Sequence, residues 1–148
     1  MKKIIFAMAV MLIGLSAFSQ NTSLLLNNYI DVKNALVSSN VKAATESISI
    51  LYNAVKKEEN FTQKAELLKA TEKMHKVGNN LDKQRAAFDD VSTIMWKLVK
   101  DSENVNGTVY YQYCPMKKAY WLSWEKDIKN PYYGSVMLSC GNVAETKE

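Results

Sequence analysis

Between Thr22 and Lys100 the sequence contains no proline and one glycine, Gly78. Such a stretch is free to stay helical throughout, because proline is the strongest interruption of a helix and glycine the next. Apolar residues recur within it at helical spacing. Leu25, Tyr29, Val32 and Leu36 predict one helix over about Ser23 to Ser38. Asn40 is placed to cap a second, whose buried face carries Ala44, Ile48, Leu51 and Val55. Lys56 and Lys57 suit its C-terminal end. A third helix starts near Asn60, uses Leu67, Leu68, Met74 and Val77, and stops at Gly78 as a left-handed cap. A fourth starts near Asp82, read as its cap, and carries Phe88, Val91, Met95, Leu98 and Val99. Short linkers favour antiparallel neighbours, so the economical fold is an up-down four-helix bundle.

The character changes at 101-DSENVNG-107. From Gly107 onward lie both prolines, both cysteines, two of three tryptophans and six of eight tyrosines. Val109–Tyr113 and Ala119–Ser123 are β-prone, and Pro115 with Lys117 and Lys118 can turn a short hairpin between them. Asn130-Pro131-Tyr132-Tyr133-Gly134 and Cys140-Gly141-Asn142 read as turns. So much aromatic surface is expected to pack on the helices, with Trp96 one contact. The expected class is therefore all-α. A helical bundle spans about 22–100, and an irregular segment with a short β-hairpin, about 107–142, packs across it as one domain, 20–148.

Met1-Lys2-Lys3, the apolar run Ile4–Leu15 and the small residues of Ser16-Ala17-Phe18-Ser19 form the three-part pattern of a secretory signal peptide, residues 1–19. The run is about 12 residues, and a bilayer span needs about 20. The expected location is thus the periplasm or outside the cell, and the host is read as bacterial. Loss of Lys2 and Lys3 lowers the formal charge from +4 to +2. The remaining lysines are mixed with acidic residues, so no basic stripe suggests nucleic acid or anionic lipid.

No catalytic signature is present. Gly-rich phosphate loops, H-E-x-x-H and G-x-S-x-G are absent, and His75 is the lone histidine. Pairing it with Cys114 in a thiol site has no local support, so the chain is read as a non-enzyme. The chemistry concentrates in Cys114, Met116, Met137 and Cys140. Thiolates and thioethers are soft donors that select Cu(I) or Ag(I). Pro115 turns the chain between Cys114 and Met116. A helical turn would bring Met137 near Cys140, whereas a strand would separate them. His75 adds an imidazole only if the third helix ends near the tail. Three alternatives stand for the cysteines. They can ligate a metal, remain buried thiols, or form a disulfide closing a loop of roughly 27 residues, worth roughly 3–4 kcal/mol in the chain-entropy model. The methionines can equally fill gaps in an aromatic core.

The motifs VYYQYCPM (109–116), AYWLS (119–123), IKNPYYG (128–134) and MLSCG (137–141), with Asp82, Gln84, Arg85, Phe88 and Ser92, resemble a bacterial domain family of unknown function. That family occurs as a small exported protein and fused to the C-terminal end of periplasmic adaptor subunits of heavy-metal efflux pumps of the resistance-nodulation-division type. The resemblance implies a helical bundle with a cysteine- and methionine-bearing tail and an association with copper or silver export, so the first expectation is a protein that holds Cu(I) or Ag(I) and buffers it or passes it to an efflux adaptor. Cys114-Pro115-Met116 is also similar to the Cys-Pro-Met-His-Pro segment of a short heavy-metal-binding module. Lys117 and Lys118 stand where its histidine and second proline would be, which removes one ligand. Without metal, the tail would instead be an interaction module whose Tyr110, Tyr113, Trp121, Trp124, Tyr132 and Tyr133 dock an envelope partner.

Overall fold

A computed structural model describes residues 22–59 and 61–148; the expected signal segment, 1–19, lies outside the described residues. Four helices form: α1 Thr22–Val37, α2 Val41–Lys57, α3 Lys64–Lys76 and α4 Leu81–Lys100. Each packs on the next, and α1 also meets α4. The helical spacing predicted from sequence supplies the contact faces: Leu25, Tyr29, Val32 and Leu36 on α1 are buried, as are Ala44, Ile48, Leu51 and Val55 on α2. Among the described residues, no helix is long and apolar enough to cross a membrane.

The caps follow local chemistry. Asn40 accepts the Ala43 amide at 3.0 Å, as expected for an N-cap. Gly78 ends α3 with φ +58°. Two starts differ from expectation. Asn80, not Asp82, caps α4, accepting the Lys83 amide at 3.0 Å. Asp82 falls in the first turn instead, where its charge complements the helix dipole. Helix α3 begins at Lys64, preceded by a turn in which the Lys64 amide donates to Phe61; the expected start at Asn60 lies outside the described residues.

The all-α expectation is overturned. Beyond the helices lies a three-stranded antiparallel sheet, β1 Val109–Cys114, β2 Ala119–Ser123 and β3 Asn142–Lys147, in the order β2-β1-β3. The β1–β2 hairpin is the one predicted, with Tyr113 opposite Tyr120 and Cys114 opposite Ala119. The third strand was not predicted. It pairs with β1 from Val109↔Lys147 to Tyr113↔Asn142, and most of its side chains are exposed. Its stability comes from the backbone ladder on β1, which leaves little apolar alternation in the sequence. The protein is a mixed helical and sheet domain.

One face of the hairpin packs on the helices. Trp96 of α4 stacks on Tyr111 at 4.7 Å, Tyr111 on Tyr120 at 4.6 Å, and Tyr113 lies against Tyr120 at 4.6 Å. Phe88, Trp121 and Tyr29 are among the largest fully buried side chains, and a single core cluster runs from the helices into the sheet. Burial of each such ring stabilises the fold by about 1.5–3 kcal/mol before cavity effects.

Candidate functional site

Alternation along β1 decides where Cys114 goes. Tyr111 and Tyr113 take the helix-facing side, so Gln112 and Cys114 take the other. The segment between β2 and β3 covers that side. Gln112, fully buried, donates through Nε2 to the carbonyls of Glu125 and Lys126 at 3.1 and 3.0 Å. Cys114 is also fully buried, and the exposed turn Pro115–Lys118 follows it.

Asn130 positions the other cysteine. It is completely buried. Its Nδ2 donates to the Cys140 carbonyl at 2.8 Å, its amide donates to the Leu138 carbonyl at 2.8 Å, and its Oδ1 accepts the Tyr132 amide at 2.8 Å. The Cys140 amide donates to the Met137 carbonyl at 3.2 Å, closing a turn from Met137 to Cys140. The chain then enters β3, whose Asn142 lies opposite Tyr113. Cys140 is thereby delivered to Cys114. Both cysteines are free, and the pairing of Tyr113 with Asn142 sets Cys140 alongside Cys114. Partial removal from water, with Cys114 alongside, holds the Cys140 thiol above its ordinary pKa.

The structure therefore brings Cys114 and Cys140 together. Met116 stands in the hairpin turn, 63% exposed, and Met137 is half-buried at the start of the turn that ends in Cys140. His75 is placed elsewhere. Its exposed ring stacks on Tyr52 of α2 at 5.0 Å, with Nδ1 3.2 Å from the Ser49 hydroxyl, also on α2. Helix α3, which carries His75, packs between α2 and α4. Among the described residues, no group of three or more His, Cys, Asp or Glu is arranged to hold a metal ion.

The motif residues on α4 and in the 130–134 turn join the tail to the helices. Arg85 donates from Nε to the Pro131 carbonyl at 2.8 Å and from Nη2 to the Leu36 carbonyl at 2.8 Å. Ser92 meets the Tyr29 hydroxyl at 2.6 Å. Phe88 lies between Tyr29, stacked at 4.9 Å, and Tyr132, at 6.0 Å. The sequence reading missed Asp89, whose carboxylate accepts the Tyr120 amide at 2.7 Å, and the anchoring role of Asn130. The Asn-Pro turn was the one signal for the latter, since asparagine bonds its own backbone in turns.

Of the aromatic residues considered for docking, Trp121 and Tyr132 are buried, while Tyr110, Tyr113, Trp124 and Tyr133 are half-buried. Trp121 and Tyr132 are spent on the core that the tail shares with the helices.

Comparison with known proteins finds no match among curated proteins or solved structures. A family described as "Protein of unknown function (DUF3347)" matches residues 25–107, more than half of the chain. The matched span begins inside α1, runs through α4 and stops before β1, so both cysteines lie beyond it. On that match, the chain belongs to the DUF3347 family of proteins of unknown function.

Proposed function

We propose that this protein binds a soft monovalent metal ion, Cu(I) or Ag(I), through Cys114 and Cys140, as an exported, non-enzymatic accessory to bacterial heavy-metal efflux. The observation that carries the reading is the pair of free cysteines set side by side by the β1–β3 pairing, one wholly buried and the other partly open. Two sulfurs held together by the sheet and the Asn130 network need little reorganisation to take one ion. Soft sulfur favours Cu(I) and Ag(I) over hard cations. Both thiols must lose their protons to bind, so uptake releases protons. Met116 lies two residues after Cys114 and Met137 three before Cys140, and these are the supporting donors; His75, engaged with α2, has no part. The link to efflux, a periplasmic adaptor as recipient, and the bacterial envelope as location rest on the resemblance of the tail motifs to segments fused to such adaptors.

The test is a Cu(I) titration of the protein lacking residues 1–19, reduced and anaerobic, against a competing chelator. Stoichiometric binding that Cys114→Ser/Cys140→Ser loses supports the reading. Equal weak binding by both proteins rejects it.

A second reading has its own observation. Met116, Val136 and Leu138, near the two cysteines in sequence, are exposed by 63%, 81% and 41%. These apolar side chains suit an interaction module in which Cys114 and Cys140 form a structural disulfide. The reading fails if the protein purified from an oxidising compartment carries two free thiols.

A further inference from the structure

We infer that Cys114 and Cys140 form a directional thiol–disulfide switch, in which Cys140 exchanges first with an external disulfide and Cys114 then closes the internal bond. The inference deepens the metal reading by naming what would regulate that site, yet its chemistry stands apart from any metal.

The argument is one of access. Cys114 is the last residue of β1, paired across to Ala119, with no exposed surface. It lies beneath the loop held by Gln112 and Asn130. Cys140 is partly exposed, on a turn whose neighbours Leu138 and Ser139 are open to solvent. An incoming disulfide can reach the sulfur of Cys140 but not that of Cys114. Once Cys140 is in a mixed disulfide, the buried Cys114 lies alongside it, because Asn142 pairs with Tyr113 and Gly141 packs on the Tyr113 carbonyl. Selectivity in such exchange follows access as well as thiol chemistry.

The electrons balance in two steps. The Cys140 thiolate attacks one sulfur of a low-molecular-weight disulfide, forming a Cys140 mixed disulfide and releasing one external thiolate. The Cys114 thiolate then attacks the Cys140 sulfur, forming the Cys114–Cys140 bond and expelling the second external thiolate. Two protein thiols are oxidised, one external disulfide is reduced to two thiols, and the two protons pass to them. Closure removes both sulfurs as ligands and ties the β1–β2 turn to the Asn130 loop.

The experiment uses oxidised glutathione as the probe, with acid quench and mass spectrometry of the protein lacking residues 1–19. Cys114→Ser should accumulate a stable single glutathione adduct on Cys140. Cys140→Ser should take up none over the same time. Native wild-type protein, pulsed with a small alkylating agent and peptide-mapped, should be labelled at Cys140 and not at Cys114. That arm needs no substitution and holds if a variant misfolds. Labelling of Cys114 first, or equal uptake by the two variants, overturns the inference. Ordered exchange in a protein without Cu(I) affinity supports the switch and removes only the metal reading.

Discussion

Tyr29 and Leu122, 93 residues apart in sequence, meet through one buried hydrogen bond: the Leu122 amide donates to the Tyr29 hydroxyl at 3.1 Å. Ser92 donates to the Phe88 carbonyl at 2.9 Å, which leaves its oxygen to accept from the Tyr29 hydroxyl at 2.6 Å. One phenol thus joins α1, α4 and β2. Burial pushes its own pKa far above the ordinary tyrosine range, so it stays a neutral donor and acceptor. Tyr29→Phe keeps the ring against Phe88 and removes only the oxygen. The expected loss is about 1–3 kcal/mol, because the Leu122 amide is left without its acceptor in the core. Chemical denaturation checks it. A double-mutant cycle with Ser92→Ala should show coupling between the two substitutions.

Arg85 does comparable joining at the edge of the bundle. Its guanidinium reaches the Leu36 carbonyl at the end of α1, the Ser39 hydroxyl at 2.9 Å, and the Pro131 carbonyl in the turn that precedes Cys140. A lysine cannot serve these diverging acceptors with the same planar fork. Arg85→Lys is expected to cost about 1.5–3 kcal/mol, the range for hydrogen bonds to charged groups. Hydrogen exchange should locate the loss: amides of 130–140 exchange faster while those of α2 are unchanged.

These junctions explain how much could be read in advance. The helices were legible because each buries one stripe at a period near 3.6, and the Asn40 cap and Gly78 stop are local chemistry. The hairpin was legible from two β-prone runs around Pro115. What failed was non-local or polar. Strand β3, 142-NVAETK-147, is mostly exposed and stands by backbone pairing, so no apolar alternation marks it. Asn80 and Asp82 are both good caps, and the turn after Gly78 decides between them. The same limit applied to the site. Spacing could not choose among disulfide, metal site and separate thiols, because the meeting of Cys114 with Cys140 depends on β3 returning to β1 and on the buried Asn130. Spacing also could not say that His75 would turn toward α2.

Asp89 gives a pH signature. Its carboxylate is half-buried, and loss of water raises its pKa, opposed by the Tyr120 amide and reinforced by Asp90. An acid whose folded pKa is raised contributes stability below its unfolded pKa, and that contribution is lost as pH rises through the folded value. At neutral pH the charge on Asp89 therefore costs stability relative to the protonated acid, although the carboxylate still accepts the Tyr120 amide. Asp89→Asn retains an oxygen for the Tyr120 amide and removes the charge. Its Tm is expected to equal or exceed wild type at pH 7, with the difference shrinking toward about pH 4, near the ordinary aspartate pKa. Asp89→Ala, which removes the acceptor too, should lose about 1–3 kcal/mol at pH 7. Thermal melts across that range separate the two effects.

Gly141 is the position where backbone shape and the thiol pair meet. It has φ +147°, and a Cβ there would sit 2.8 Å from Trp121 Cη2 and 2.8 Å from the Tyr113 carbonyl oxygen. Neither neighbour can yield easily, since Trp121 is fully buried and Tyr113 is held in β1. Gly141→Ala must therefore move the backbone beside Cys140. The expected destabilisation is about 1–3 kcal/mol, from the strained φ and the overpacking together. Gly107→Ala supplies the comparison: its φ is also positive, at +102°, but the nearest atom to the added Cβ is Trp124 Cζ3 at a tolerable 3.7 Å. The two variants should share a cost in stability, whereas only Gly141→Ala should separate the sulfurs. Internal disulfide formation under a fixed glutathione ratio, followed by mass spectrometry, reads that separation: slowed or lost in Gly141→Ala and retained in Gly107→Ala. Equal disulfide yields in the two variants would mean that Cys140 reaches Cys114 without the tight Gly141 passage.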